Sequence, residues 1–181
     1  VGVGHQRLVR HALTPAEAAE VARVDSIAER VLRFLEEESA EIDQAHVFGA
    51  QSSVIQTILN RLLAQAGFLS EVVITPEDGF VTRARPDFFL TLSPGRGILA
   101  EVERGGTVTN NHDLKDVWKA HIAPNAQHLF LVVPNSNFSG DGSPREKPFN
   151  RVQSRASSFF GDPRREIDIV SLHVFGYGRL A

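Results

Sequence analysis

Two stretches of the chain put acids where apolar side chains dominate. Arg85-Pro86-Asp87 opens the run Phe88, Phe89, Leu90 and Leu92, and after a gap of thirteen residues Glu101-Val102-Glu103 follows Ile98, Leu99 and Ala100. Bringing such carboxylates together is unfavourable, because two unit charges ~4 Å apart repel by roughly 4 kcal/mol at an effective dielectric near ~20. A bound cation reverses that sign. In an extended strand Glu101 and Glu103 share one face while Val102 points to the other and can pack. An adjacent antiparallel strand would bring Asp87 beside them. Hard oxygen donors of this kind suit magnesium or manganese, and magnesium takes one or two carboxylates together with water and substrate phosphate. The chemistry expected of the cluster is phosphodiester cleavage.

Cations surround these acids in the sequence. Arg83, Arg85 and Arg104 could bind phosphates or serve as structural ion pairs. Lys115 and Lys119, four apart, share a helix face that is either solvated or in contact with phosphate. Asn110, Asn111 and His112 lead into that helix, where an asparagine commonly caps the chain, and they are candidates for nucleic-acid contact. Trp118 falls on the helix's apolar stripe and is expected in the core rather than as a base-stacking platform. The tail from Arg145 to Arg165 carries a modest basic excess that could follow a nucleic-acid backbone.

Composition narrows the alternatives. The chain has 181 residues, enough for one domain with a true core, and no cysteine, which excludes disulfides, cysteine-ligated zinc and thiol catalysis. Its formal net charge of −3 gives no global basic field, so any polyanion site must be local. The histidines form no close pair with zinc-ligand spacing, and Gly95-Arg96-Gly97 lacks the lysine and serine of a phosphate loop. No apolar run approaches the length of a bilayer span and no signal-peptide layout opens the chain, so a soluble, cytoplasmic protein is expected. The absence of methionine, including an initiator, leaves room for a longer parent chain with further domains.

The elements that must position the acids follow from periodicity. Thr14-Pro15-Ala16-Glu17 carries a capping hydroxyl, proline at the first helical position and a carboxylate three residues after the cap, predicting a helix over 15–38. Its narrow stripe of Val21, Val24, Ala28, Val31 and Leu35 could dock on the chain's own core or zip against a second copy. A second helix is predicted over 52–66, closed by Gly67. Three strands follow at 71–75, 80–92 and 97–103, then a helix from Leu114 to Ile122 bearing Val117, Trp118 and His121 on its apolar side. His128 to Val133 reads as a strand buried on both faces, which requires a crossover and hence a mixed sheet. A loop over 135–148, a helix over 149–160 and a last strand over 167–175 complete the chain.

Pro86-Asp87 followed by Glu101-Val102-Glu103 resembles the motif of the PD-(D/E)XK nuclease superfamily, in which Pro-Asp, a variable gap, an acid, any residue and a lysine succeed one another. The element order over about residues 50–133 is similar to that superfamily's common core. The run from Glu101 to Lys119 is also similar to a signature of uncharacterised restriction-endonuclease-like proteins. The departure is Glu103, which stands where the motif has lysine, as it does in some restriction enzymes of the superfamily.

The resemblance implies an α/β, restriction-endonuclease-like three-layer sandwich with a mixed central sheet flanked by helices. Residues 1–45 would form an N-terminal helical extension and 46–181 the nuclease-like domain. Asp87, Glu101 and the Val102 carbonyl would hold Mg2+ or Mn2+, and Glu103 would accept a proton from water or join a second metal. Lys115 or Lys119 would supply the positive charge missing at position 103, and Gln51, Gln56 or Glu71 a fourth site group. The implied activity is that of a DNA endonuclease of restriction or genome-defence type in a prokaryotic cytoplasm, acting as a homodimer because two-strand cleavage needs two sites. The rival reading is a nuclease-fold binding module that has lost catalysis.

Overall fold

The computed structural model describes residues 2–74, 85–105 and 107–181. Helix α1 (Pro15–Glu37) begins where the sequence places it: the Glu17 N–H donates to the Thr14 hydroxyl, and the Glu17 carboxylate accepts the Thr14 N–H at 2.8 Å. Val21, Val24, Ala28, Val31 and Leu35 are all buried, so this seam docks on the chain's own core. A short helix α2 (Ser39–Ala45), unanticipated because it carries one buried apolar residue, Ile42, leads to α3 (Ser52–Gln65). Helix α3 ends as Gly67 implies. The residue takes φ 93°, the Phe68 N–H reaches the Leu63 carbonyl at 2.9 Å and the Gly67 N–H the Ala64 carbonyl at 3.0 Å.

Six strands form one mixed sheet: β1 (Gly4–Val9), β2 (Leu69–Ser70), β3 (Phe88–Ser93), β4 (Arg96–Val102), β5 (His128–Pro134) and β8 (Ser171–Tyr177), in the spatial order β1-β8-β5-β4-β3-β2. Neighbours β2 and β3, β3 and β4, and β1 and β8 are antiparallel, whereas β4 with β5 and β5 with β8 are parallel. The parallel pairs require crossovers, supplied by α4 (His112–Ile122) and α5 (Pro148–Ser157). Alternation along the strands separates two cores. Ile98, Ala100, Val102, Phe130, Val132 and Phe175 pack against α1 and α3, while Leu99, Leu129, Leu131, Leu172 and Val174 pack with residues of α4 and α5. The architecture is therefore α/β with helices on both faces of a mixed sheet, compatible with a three-layer sandwich.

Several expectations need correction. Strand β1, a half-buried edge strand, was not anticipated, and it joins residues 1–45 to the sheet through β8. Of the strand expected over 71–75, only Ile74 makes an isolated bridge among the described residues, and the ladder with β3 falls at Leu69–Ser70, because Glu71 adopts φ 52° and breaks the extended run. Of the expected second strand, residues 80–84 lie outside the described residues, residues 85–87 are not in strand pairing, and the strand runs from Phe88. The loop over 135–148 contains a small hairpin, β6 (Asn137–Phe138) with β7 (Pro144–Glu146).

The β3–β4 hairpin carries the acids and depends on one close approach. A β-carbon on Gly97 would sit 2.5 Å from Phe89 Cζ and 2.6 Å from the Leu90 carbonyl oxygen, a main-chain atom that cannot swing aside. Gly97→Ala should therefore destabilise the fold by about 1–3 kcal/mol, the usual cost of overpacking. Denaturant unfolding checks this, and an unchanged midpoint would show that the hairpin is not packed as described.

Candidate active site

Register sets the first pair of acids. Phe88 lies opposite Ala100, so the next position outward places Asp87 across from Glu101. The Val102 N–H donates to Asp87 Oδ2 at 2.9 Å, and the Asp87 N–H reaches Glu101 Oε2 at 3.3 Å. Glu101, only 4% exposed, stands on the same sheet face as Leu99, toward α4. Glu103 leaves the strand end with its main chain fixed at both sides. Its N–H donates to the Val132 carbonyl and its carbonyl accepts the Tyr177 hydroxyl, each at 2.8 Å. Its carboxylate Oε2 lies 2.9 Å from His112 Nδ1.

Helix α4 supplies the cation, and it does so by violating its own apolar pattern. Periodicity alone would bury Leu114, Trp118 and His121; the buried residues are Asp113, Asp116, Val117 and Ala120. The rotation turns two aspartates inward and leaves Trp118 54% exposed, correcting the expectation that it is core. It also carries the Lys119 ammonium onto Glu101 Oε1 and to 3.2 Å from Asp116 Oδ1. Asp116 Oδ2 is buried without a hydrogen-bond partner among the described residues.

The electrostatics follow from this crowding. Burial pushes the Glu101 carboxyl up to about 7, with Lys119 opposing and the Asp87 charge reinforcing the rise. Burial pushes Asp116 further, to about 9, aided by the Glu101 charge and opposed by Lys119. Burial also works against the Lys119 ammonium, but Glu101 and Asp116 outweigh it and hold its pKa above the ordinary lysine value. The cluster at neutral pH thus holds a charged lysine, a protonated Asp116 and a glutamate near its titration point.

These groups line an open cleft of about 680 Å3 together with Gln51, Gln56, Arg85, Arg104 and His112. The structure brings together Asp87, Glu101, Val102, Glu103 and Lys119, and separates Lys115, which is exposed on α4 outside the cleft. Arg85 lies at the rim and pairs with Glu71 at 2.6 Å, favouring the ion-pair reading for that arginine. Glu71 itself borders a neighbouring hollow that also touches Asp87. Asn110 and Asn111 lie outside the cleft. Asn111 is the N-cap residue of α4, but in a left-handed conformation (φ 55°) without a capping side-chain bond, its Oδ1 accepting from Arg155 Nη2 at 2.7 Å. Arg83 lies outside the described residues. Asp116 was missed, since an acid three residues before a lysine on a helix ordinarily signals a solvated pair.

The three carboxylates of Asp87, Glu101 and Glu103 share the cleft without forming one cage. Among the described residues no group of three or more His, Asp or Glu side chains is arranged to hold a metal ion. The reason is visible in the contacts: Glu103 is drawn to His112 and Glu101 to Lys119. Asp87 and Glu101 stay adjacent as hard-oxygen groups, with Glu101 Oε1 held by Lys119. No known protein-family description and no curated protein matches the chain.

Asp116 yields a direct test through linkage. A carboxyl whose folded pKa is raised keeps its proton where the unfolded chain has lost it, so stability falls as pH climbs toward the folded value. Three buried histidines, His46, His128 and His173, have pKa values lowered by burial and contribute the opposite slope at lower pH. From pH 7 to 9 Asp116 titrates above these histidines, with Glu101 contributing only at the lower edge. Wild-type protein should lose stability across it, and Asp116→Asn should remove on the order of 1–2 kcal/mol of that loss. Thermal unfolding at several pH values checks this; parallel profiles would show that Asp116 is ionised in the folded state.

Proposed function

We propose that the chain is a divalent-metal-dependent nuclease of the PD-(D/E)XK, restriction-endonuclease-like type, hydrolysing phosphodiester bonds of DNA. The observation that carries this reading is the meeting of Asp87 and Glu101 from a β-hairpin with Lys119 from the following helix, in one open cleft. Acid, acid and ammonium are the motif's chemical set, with the lysine delivered by α4 instead of position 103.

On this reading Asp87 and Glu101 would hold Mg2+ or Mn2+, with the Val102 carbonyl. The ion would acidify water and polarise the phosphate. The chain's own groups do the rest. Lys119 offsets negative charge gathering on the phosphoryl oxygens, a role in which one preorganised donor is worth roughly 10²–10³-fold in rate. Glu103, tethered by His112, is placed to accept a proton from water, and His112 can pass it to solvent. Gln51 and Gln56 offer amides to the phosphate beside the first turn of α3, whose positive end favours anions. Arg104 adds a cation on the far wall.

The biological extension is a restriction or genome-defence enzyme of a prokaryotic cytoplasm, with two copies cutting two strands. No helix among the described residues is long and apolar enough to cross a membrane. One observation favours the second reading, an inactive binding module: the Lys119–Glu101 pair already neutralises an acid that a metal would use.

Plasmid nicking with magnesium or manganese separates the two. Wild-type protein should cut, Asp87→Ala should abolish cutting while leaving the fold intact, and Lys119→Ala should slow it by roughly 10²–10³-fold. Lys115→Ala should retain the wild-type rate. Metal-independent binding without cleavage would leave the binding-module reading in place.

A further inference from the structure

Beside the acid cleft lies a second hollow of about 260 Å3, which shares Arg104 and Gly105 with it and which the proposed chemistry does not use. One wall is the segment Val47-Phe48-Gly49 between α2 and α3, and the other is the β6–β7 hairpin with Asn137, Phe138, Arg145 and Glu146. Phe48 is 61% exposed, and a β-carbon on Gly140 in the hairpin turn would lie 3.5 Å from its ring. Phe138 differs: the Arg179 guanidinium lies 4.9 Å from its ring centre. An uncovered phenyl ring thus stands at the mouth of a polar hollow.

Two arginines and one glutamate line the hollow, an excess of positive charge. Arg104 and Arg145 have no ion pair among the described residues; Arg104 Nη2 donates to the Val47 carbonyl, and its Nε is buried without a hydrogen-bond partner. The acid of the lining, Glu146, has its Oε1 engaged by Asn137 Nδ2 at 2.9 Å. An apolar protein partner would desolvate both guanidinium groups without compensation. A ligand that is flat and aromatic at its centre and anionic at its edge satisfies both features, and a nucleotide has that chemistry. A base inside a duplex presents only its edges, since its faces are covered by neighbouring bases; a stacking platform therefore selects a nucleotide that is unpaired.

We infer that this hollow receives an unpaired nucleobase of the strand whose phosphodiester lies in the acid cleft, with Phe48 stacking on the base and Arg104 and Arg145 taking the flanking phosphates. The inference rests on the nuclease reading and deepens it, making the substrate a single strand, an overhang or another segment with unpaired nucleotides. Asn137 and Glu146, hydrogen-bonded to each other, line the same hollow.

Fluorescence anisotropy on the full chain tests this, using labelled single-stranded DNA, single-stranded RNA and duplex DNA of one sequence, without divalent metal so that binding is read apart from cutting. Wild-type protein should prefer single strands of DNA or RNA to the duplex. Phe48→Ala should weaken single-strand binding roughly tenfold, as expected for losing one base–aromatic stack, and leave duplex binding unchanged. Phe48→Tyr should retain affinity, which a merely structural role shared by any bulky apolar residue such as Leu would not require. Arg145→Gln should reduce the slope of log affinity against log salt by about 0.7. Equal affinity of wild type and Phe48→Ala, or a preference for duplex, overturns the inference. Magnesium-dependent cleavage on the same substrates judges the nuclease reading separately: cutting with an unaffected Phe48→Ala removes the base pocket alone, and single-strand binding lost in Phe48→Ala without any cutting removes the nuclease alone.

Discussion

The arrangement of the cleft turns on one ammonium group. Lys119 sits between Glu101 and Asp116, two carboxyls that burial alone would force to stay protonated, and it lets one of them approach ionisation at neutral pH. Removing water from acids is unfavourable by several kcal/mol per ion on the order seen in real interiors, and folding tolerates it where a fixed counter-charge is supplied. The sheet supplies Glu101, the crossover helix supplies Asp116 and the cation, and the Glu101 carboxylate has its counter-charge only where the two elements meet.

That dependence explains choices elsewhere in the fold. The parallel pairing of β4 with β5 compels a crossover, and the crossover helix is the element that can lie over the carboxyl end of β4. Antiparallel β3 then brings Asp87 to the same end from the opposite side, at a distance fixed by main-chain hydrogen bonds rather than by flexible side chains. Tyr177, from β8, ties down the Glu103 carbonyl and so links the far strand of the parallel trio to the cleft. On the opposite face α1 and α3 need carry only apolar stripes. There the buried His128 bonds Glu20 and Ser171, and His173 Nδ1 meets His5 Nε2, while His173 Nε2, 3.3 Å from Asp25 Oδ1, has no hydrogen-bond partner among the described residues.

Legibility in the sequence followed the strength of local signals. Helix α1 was bounded to within a residue because a complete capping box and a five-member apolar stripe agree, and α3 because a Schellman glycine closes it. Strand β1 escaped notice since Gly4-His5-Gln6-Arg7 has no apolar alternation; it is recruited by pairing to β8 and by His5 stacking on His173 and Phe175. In the site, Asp87, Glu101 and Glu103 were legible as acids in apolar strands. The choice between Lys115 and Lys119 was not, because both fit a solvated helix face, and the rotation that decides between them buries Asp116 against its residue type. The same rotation reverses the expectation for Trp118. Local rules failed where tertiary electrostatics overrode amphipathicity, and that is where the proposed chemistry lies.

The proposed nuclease reading requires this cluster to exchange its proton and its lysine contact for a hard divalent cation. Calorimetric titration of Mn2+ into the full chain near neutral pH, repeated in buffers of differing ionisation heat, measures binding and proton release together. The account predicts saturable binding with net proton release, lost in Asp87→Ala. Absence of saturable binding at millimolar Mn2+, or binding unaffected by Asp87→Ala, would contradict it.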